Sequence, residues 1–138
     1  MLSRRLSKYL HDVTYTRLET SKIHGVGVVA IRPIPAGVNP FNDTTYMEEL
    51  VPMTEAEVDA LGAPIAKLVR DFCLPQEGIY WVMPSGFNKL DVSFYMNHSG
   101  SNPNVEAVHN GEGTLCNFRS IRPIAEGEEL LFDYGNVH

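Results

Sequence analysis

Cysteine is scarce in this chain. Its 138 residues hold two, Cys73 and Cys116, far apart and with no second Cys or His at ligand spacing. That excludes a zinc cluster and a disulfide framework, and makes a reducing, intracellular compartment the expectation. Long hydrophobic runs are absent too. None approaches the roughly 18–20 residues that a membrane-spanning helix needs, so a soluble chain without a membrane partner is expected. Basic charge is short, with 11 Lys and Arg against 17 Asp and Glu and a formal net charge of −6. This balance disfavours nucleic acid as a direct partner and suits basic ones. The glycines are not arranged for phosphate either. Gly25-Val26-Gly27 lacks the third glycine and the strand-then-helix setting of a dinucleotide loop, and no Gly-Lys-Ser follows.

What is present is enough apolar residue, 43%, to bury one core, and a length suited to one domain. Residues 1–12 place Leu2, Leu6 and Leu10 at four-residue spacing among three basic residues, which predicts an N-terminal arm or short helix folded onto the domain. A targeting segment is the weaker alternative. A single domain then spans 13–138. Val13–Leu18 and Gly27–Ile31 read as paired strands around the turn SKIHG. RPIPAG closes that unit, and a second turn, RPIAEG, ends FRSIRPIAEG in the same layout as VVAIRPIPAG, so one strand-to-turn geometry is used twice. Phe41–Tyr46 is ambiguous.

Between about 52 and 74 the pattern turns helical. Thr54 with Glu57 three residues on makes a capping box, Gly62 interrupts, and Pro64 opens a second helix that stops before Pro75. Gly78–Met83, Val105–Val108, Leu115–Phe118 and Leu130–Tyr134 complete the strands, with NGEG as a turn. Short strands around one helical insert give an α+β domain, mainly β.

Three separated stretches carry candidate chemistry. In FYMNHSGSNPN, His98 has no second ligand at metal spacing, and Ser99 points away from its neighbour His98 in an extended chain. A polar loop that either holds a ligand through Asn97 and bare backbone, or satisfies its own turn, remains. Gly25-Val26-Gly27 either brings backbone near a ligand or makes a hairpin turn. GEELLFDYGN delivers Tyr134 just before a glycine, beside Asp133, where its hydroxyl can be held at a site.

Together, in this order, GVG, NHS with a nearby PN, and EELLFDYG, with the IPAG and IRPIAEGEEL turns between, resemble the SET-domain protein-lysine methyltransferases over roughly Val13–Tyr134. The resemblance implies several small β-sheets and a knot-like arrangement in which the C-terminal stretch threads the segment bearing Asn97 and His98. It implies S-adenosylmethionine on one side, leaving as S-adenosylhomocysteine, a lysine channel on the other, and no metal. Carried over by position, the backbone of His24, Gly25, Val26 and Gly27 contacts the cofactor, with Asn97 through its side chain and His98 through its backbone. Tyr134 is the catalytic channel tyrosine, also beside the cofactor. Phe132 stands where the family sets product multiplicity, and a phenylalanine there implies di- or trimethylation. Tyr80 or Trp81 lines the channel.

The chain departs from the family pattern. It reads NHSGSNPN where relatives read NHSxxPN, and the extra residue is expected to bulge out with Asn97 left in place. Gly100 stands where many relatives carry a zinc-binding cysteine, no cysteine-rich segment precedes or follows the domain, and no YxG follows IPAG within Phe41–Leu50. A compact, stand-alone protein is expected, its missing channel wall supplied by the insert, the N-terminal arm or a second copy of the chain in a homodimer. The expected activity is methyl transfer to a lysine of a protein, a histone tail among the candidates given the acidic Glu48, Glu49, Glu55, Glu57 and Asp59. The location is then nuclear if the source is eukaryotic. A SET-like peptide-binding module with weak or no turnover is the alternative.

Overall fold

The computed structural model describes residues 2–41, 49–109 and 116–135. The NGEG turn and most of Phe41–Tyr46 lie outside them. The N-terminal helix forms as α1, Leu2–Val13, and the first strand follows as β1, Thr16–Thr20, three residues later than predicted. Lys8 and Asp12 pair at 2.6 Å one turn apart, a helix-compatible contact that carries the helical path to Val13. The helix is not folded onto the domain, because none of its residues is buried. Arg32 holds its end instead, donating to Thr14 O (3.0 Å) and Asp12 O (3.2 Å) while its guanidinium sits 3.9 Å over the Tyr15 ring.

β2, Val26–Ala30, pairs antiparallel with β1. Its other edge takes β9, Glu129–Phe132, in the register Val28↔Leu130. β9 in turn runs parallel to β7, Val105–His109, and to a two-residue strand β6, Asn97–His98, with Asn97 opposite Leu131. β8, Cys116–Ser120, closes a hairpin with β7, giving the sheet order β1-β2-β9-β7-β8. The C-terminal strand therefore lies between segments far earlier in the chain, with the polar loop Ser99–Asn104 crossing beside it. That is the knot-like arrangement. Period-two alternation buries Leu130 and Phe132 with Val28, Met96 and Val105 in the main core.

The two similar turns face each other. Ile34 and Ile124, each 1% exposed, form an antiparallel bridge with N–H to O distances of 2.8 and 2.9 Å. Gly37 N donates to Ser120 O and Gly127 N to Ala30 O, both at 2.8 Å, so each turn caps the strand that leads into the other. Both glycines have positive φ, 82° and 84°, which the turn demands and a side chain would resist. The repeated layout is a local two-fold in the core.

The insert carries a second core of its own. A three-stranded antiparallel sheet, β3 (Val51–Thr54), β5 (Ile79–Val82) and β4 (Pro75–Gln76), flanks α2 (Glu55–Asp59) and α3 (Ala63–Phe72). The predicted capping box is present: Thr54 Oγ1 accepts from Glu57 N at 3.2 Å, and Glu57 Oε1 accepts from Thr54 N at 3.0 Å. β3 and β4 lie where the sequence reads as the start of the helical insert and the stop after it, with Pro52 and Pro75 within them. Both occupy sheet edges, where proline costs no ladder bond. Val58, Val69, Tyr80 and Met83 meet between helices and sheet.

Candidate active site

The SKIHG turn is built around Ser21. Its Oγ accepts from Ile23 N (2.9 Å) and His24 N (3.2 Å), and its backbone N donates to Gly25 O at 2.7 Å. Gly25 closes the turn at φ 50°, with nothing within 4 Å of the Cβ it lacks. Gly27 is crowded: an added Cβ would lie 2.5 Å from Glu129 Oε2. One glycine thus leaves backbone open, and the other lets a carboxylate come close.

Asn97 is brought to this turn by β6, which pairs with β9 through Leu131. The side chain is largely buried, and its Nδ2 faces Glu129 Oε2 (2.9 Å), Ser21 Oγ (3.0 Å), His24 O (3.0 Å) and Val26 O (3.3 Å). Two N–H bonds shared among four acceptors fix the amide orientation, since its oxygen could not face that set. Among the described residues no donor to Asn97 Oδ1 is found. Glu129 completes the cluster by accepting from Ser21 Oγ at 2.8 Å. The sequence reading missed Ser21 and Glu129. Ser21 has the signature of an ordinary turn serine, and a Glu opening an apolar strand reads as a solvent-facing residue. The doubled Glu of GEEL was the available signal.

The loop that follows keeps both ends on β9. Ser99 N donates to Phe132 O (3.1 Å) and Asn104 N to Leu131 O (3.0 Å), while Asn102 N is turned back onto Ser99 Oγ (3.0 Å). The extra residue is absorbed between those anchors, and Asn97 stays with the turn. Asn104, 1% exposed, is the third residue whose role was not foreseen. Its Oδ1 accepts from Leu131 N at 2.7 Å, and its Nδ2 donates to Glu129 O at 2.8 Å and Glu128 Oε2 at 3.1 Å.

His98 has a side-chain task as well as a backbone one. Its Nδ1 accepts from Tyr134 N at 3.0 Å, and its ring lies 5.0 Å from that of Tyr134. The imidazole therefore holds the chain where β9 ends. Tyr134 folds back so that its hydroxyl donates to Met96 O, and its ring packs 4.8 Å from Phe132. Burial first, and then the Glu129 carboxylate, push its pKa above the usual phenol range. It stays a neutral donor.

A cavity of about 490 Å³ has Met96, the residue before Asn97, in its lining. Tyr134, Phe132, Met96 and Phe118 form one wall, and Phe72, Cys73 and Leu74 at the end of α3 form another. Phe118 meets Phe132 edge-on at 5.3 Å. Of the two aromatics named on β5, Trp81 lines this cavity, whereas Tyr80 points to the opposite face and lies in the insert core. Burial pushes the Cys73 thiol up to about 11, so it lines the wall as an apolar group.

Residues 25–135 match the family model of the SET domain. The chain belongs to the SET-domain family. The match opens on Gly25 and closes on Gly135, so it contains the GVG turn, NHS and DYG. No curated protein matches at a significant level. Among solved structures, this SET domain superposes on a Plasmodium falciparum histone methyltransferase candidate with a TM-score of 0.55 at 16% identity, covering 88% of this chain and 94% of that one. It also superposes on a humanized mutant of the Chaetomium thermophilum Polycomb Repressive Complex 2 bound to the inhibitor GSK126 (TM-score 0.57, 22% identity, 89% of this chain). An apo form of that complex with two substitutions in Ezh2 gives a TM-score of 0.59 at 24% identity over 89% of this chain. The SET domain covers 15% of each Polycomb chain. These likenesses establish the SET fold, with its small sheets around a central crossing.

Proposed function

We propose that this SET domain is a protein-lysine methyltransferase that uses S-adenosylmethionine. The observation that carries the reading is the shared wall at Met96 and Asn97. Met96 lines the cavity with its carbonyl held by Tyr134, and the next side chain, Asn97, braces the open GVG turn. A cofactor site and a substrate site separated by one residue are what direct transfer between two bound molecules requires.

The residues fit the cofactor. Gly25 leaves bare backbone, and Asn97 Oδ1 stands ready to accept from an ammonium group, so His24, Gly25, Val26, Gly27, Asn97 and the His98 backbone would hold it. When bound, S-adenosylmethionine supplies an electrophilic methyl group on a sulfonium. Phe132, Phe118, Met96 and Trp81 exclude water from the approaching lysine and disfavour its ammonium form, so the proton leaves to solvent and no strong base is needed. The neutral Tyr134 hydroxyl and the carbonyl of Met96 orient the amine.

Calorimetry with S-adenosylmethionine tests the first half. Wild type is expected to bind, and Gly27→Ala is expected to weaken binding at least about tenfold, since the new Cβ must displace Glu129 from Ser21 and Asn97. Absence of binding by folded wild type would favour the peptide-binding module instead. Phe132 presents no hydroxyl to anchor a water, which leaves room for a second and third methyl. Mass spectrometry after exhaustive turnover should therefore find di- or trimethyl-lysine, and monomethyl product alone would refute this. The net charge of −6 favours a basic protein segment such as a histone tail as substrate.

A further inference from the structure

Asn97 is 9% exposed, and the two polar atoms of its side chain are treated differently. Its Nδ2 meets four acceptors, while among the described residues no donor reaches its Oδ1. A buried carbonyl oxygen without a donor calls for one, and a bound ligand can supply it. Asparagine alone does not dictate which atom points that way. A half-turn about its last torsion exchanges oxygen and nitrogen with almost no change in packing.

Glu129 breaks the tie. It is the charged member of the four acceptors, and a charge-assisted hydrogen bond is about twice as strong as a neutral one. Its carboxylate accepts from Asn97 Nδ2 at 2.9 Å through Oε2 and from Ser21 Oγ at 2.8 Å through Oε1. Ser21 thereby commits its one hydroxyl hydrogen to Glu129, and its lone pairs serve Ile23 N and His24 N. One amide hydrogen of Asn97 goes to the carboxylate. The other is left for the carbonyls of His24 (3.0 Å) and Val26 (3.3 Å), on either side of Gly25. With the amide reversed, Oδ1 would face a carboxylate and two carbonyls, acceptors with nothing to accept. Gly27 admits the carboxylate, because a Cβ there would lie 2.5 Å from Oε2. The same charge acts on Tyr134, where it adds to burial in keeping the phenol protonated.

We propose that Glu129 is a positioning residue for the cofactor site: its charge turns the Asn97 amide so that Oδ1 is presented to the ligand. The inference rests on the S-adenosylmethionine reading of this site and adds to it a residue that acts through Asn97. Removing the charge lowers affinity even though Asn97 and the GVG turn keep their sequence. A carboxylate that only held the fold together would change stability, and its loss would combine independently with the loss of Asn97.

Calorimetry with S-adenosylhomocysteine, which has no methyl group to transfer, reads the site without turnover. Wild type is expected to bind, and Glu129→Gln to bind about tenfold or more weakly. Glutamine keeps the length of the side chain and one carbonyl oxygen, so the melting temperature should stay within about 5 °C of wild type. The double variant Glu129→Gln/Asn97→Ala should bind no worse than Asn97→Ala alone, within about twofold, because nothing is left to position. NMR spectra of the ligand-free protein give a second readout: the Asn97 side-chain amide protons should be protected from solvent exchange in wild type and lose that protection in Glu129→Gln. Should that variant fail to fold, Ser21→Ala carries the same cycle, since it leaves the charge but unties it from the turn. A wild type that binds neither S-adenosylmethionine nor S-adenosylhomocysteine overturns the cofactor reading and this proposal with it. Wild-type binding together with undiminished affinity in Glu129→Gln, losses that multiply in the double variant, or amide protection retained in Glu129→Gln would each overturn the proposal alone.

Discussion

Tyr134→Phe is expected to lower methyl transfer by about two to three orders of magnitude while leaving S-adenosylmethionine binding within a few-fold of wild type. The phenol is held in one place by three contacts: the hydroxyl to Met96 O, the ring against Phe132, and the backbone N–H on His98 Nδ1. Phenylalanine keeps the ring packing and the backbone bond, so the fold survives with a loss of about 1 kcal/mol. What disappears is the polar group that lines the cavity and holds the carbonyl of Met96, next to Asn97. Its raised pKa means that ionisation of this group does not limit the rate near neutrality. Rates should rise with pH as more of the substrate amine is deprotonated, in the variant as in wild type. A folded Tyr134→Phe protein with undiminished transfer would remove the role given to the hydroxyl, even if cofactor binding stood.

Asn104→Leu is expected to be the most damaging single change to stability, by about 3–5 kcal/mol. Leucine matches asparagine in size, so packing alone does not decide the outcome. The substitution removes the partners of Leu131 N and Glu129 O beside a side chain that is 1% exposed. For a domain of this size that corresponds to a melting temperature lower by about 10–17 °C. The Glu128 carboxyl is involved as well. Burial works to raise its pKa, but the Ala125 N–H, Arg122 and Asn104 together hold it below the usual range. Its stabilising contribution is therefore full above the ordinary pKa of 4.5 and is lost as pH falls through the lower folded value. Thermal melts of wild type and variant should report both effects. A shift of under about 1 kcal/mol would mean that the loop is held without this bolt.

Much of the site was legible because its residues stand in short, ordered stretches. The glycine turn, Asn97, His98 and Tyr134 were named from the sequence, and the structure brings all of them together around β6 and β9. The capping box at Thr54 and the paired RPIPAG and RPIAEG turns were equally visible, since their signals are local. Ser21, Glu129 and Asn104 escaped because their significance is relational. Each is an unremarkable polar residue until a strand more than twenty positions away lies against it. The edge strands of the insert escaped because the capping box and helical period that follow Pro52 dominate the local pattern, while an edge position accommodates proline.

The sequence by itself determined the family and most of the order of the elements, because backbone conformation at glycine, proline and capping positions is set by neighbours along the chain. Only the tertiary structure decided which faces those residues share. It set Trp81 at the cavity and Tyr80 in the core, gave the His98 imidazole its bond to Tyr134, and left α1 standing free of the domain that was expected to cover it. Period-two alternation allows either face of a strand to be inner, and an amphipathic helix has an apolar side without specifying what it meets; packing against distant segments decides both.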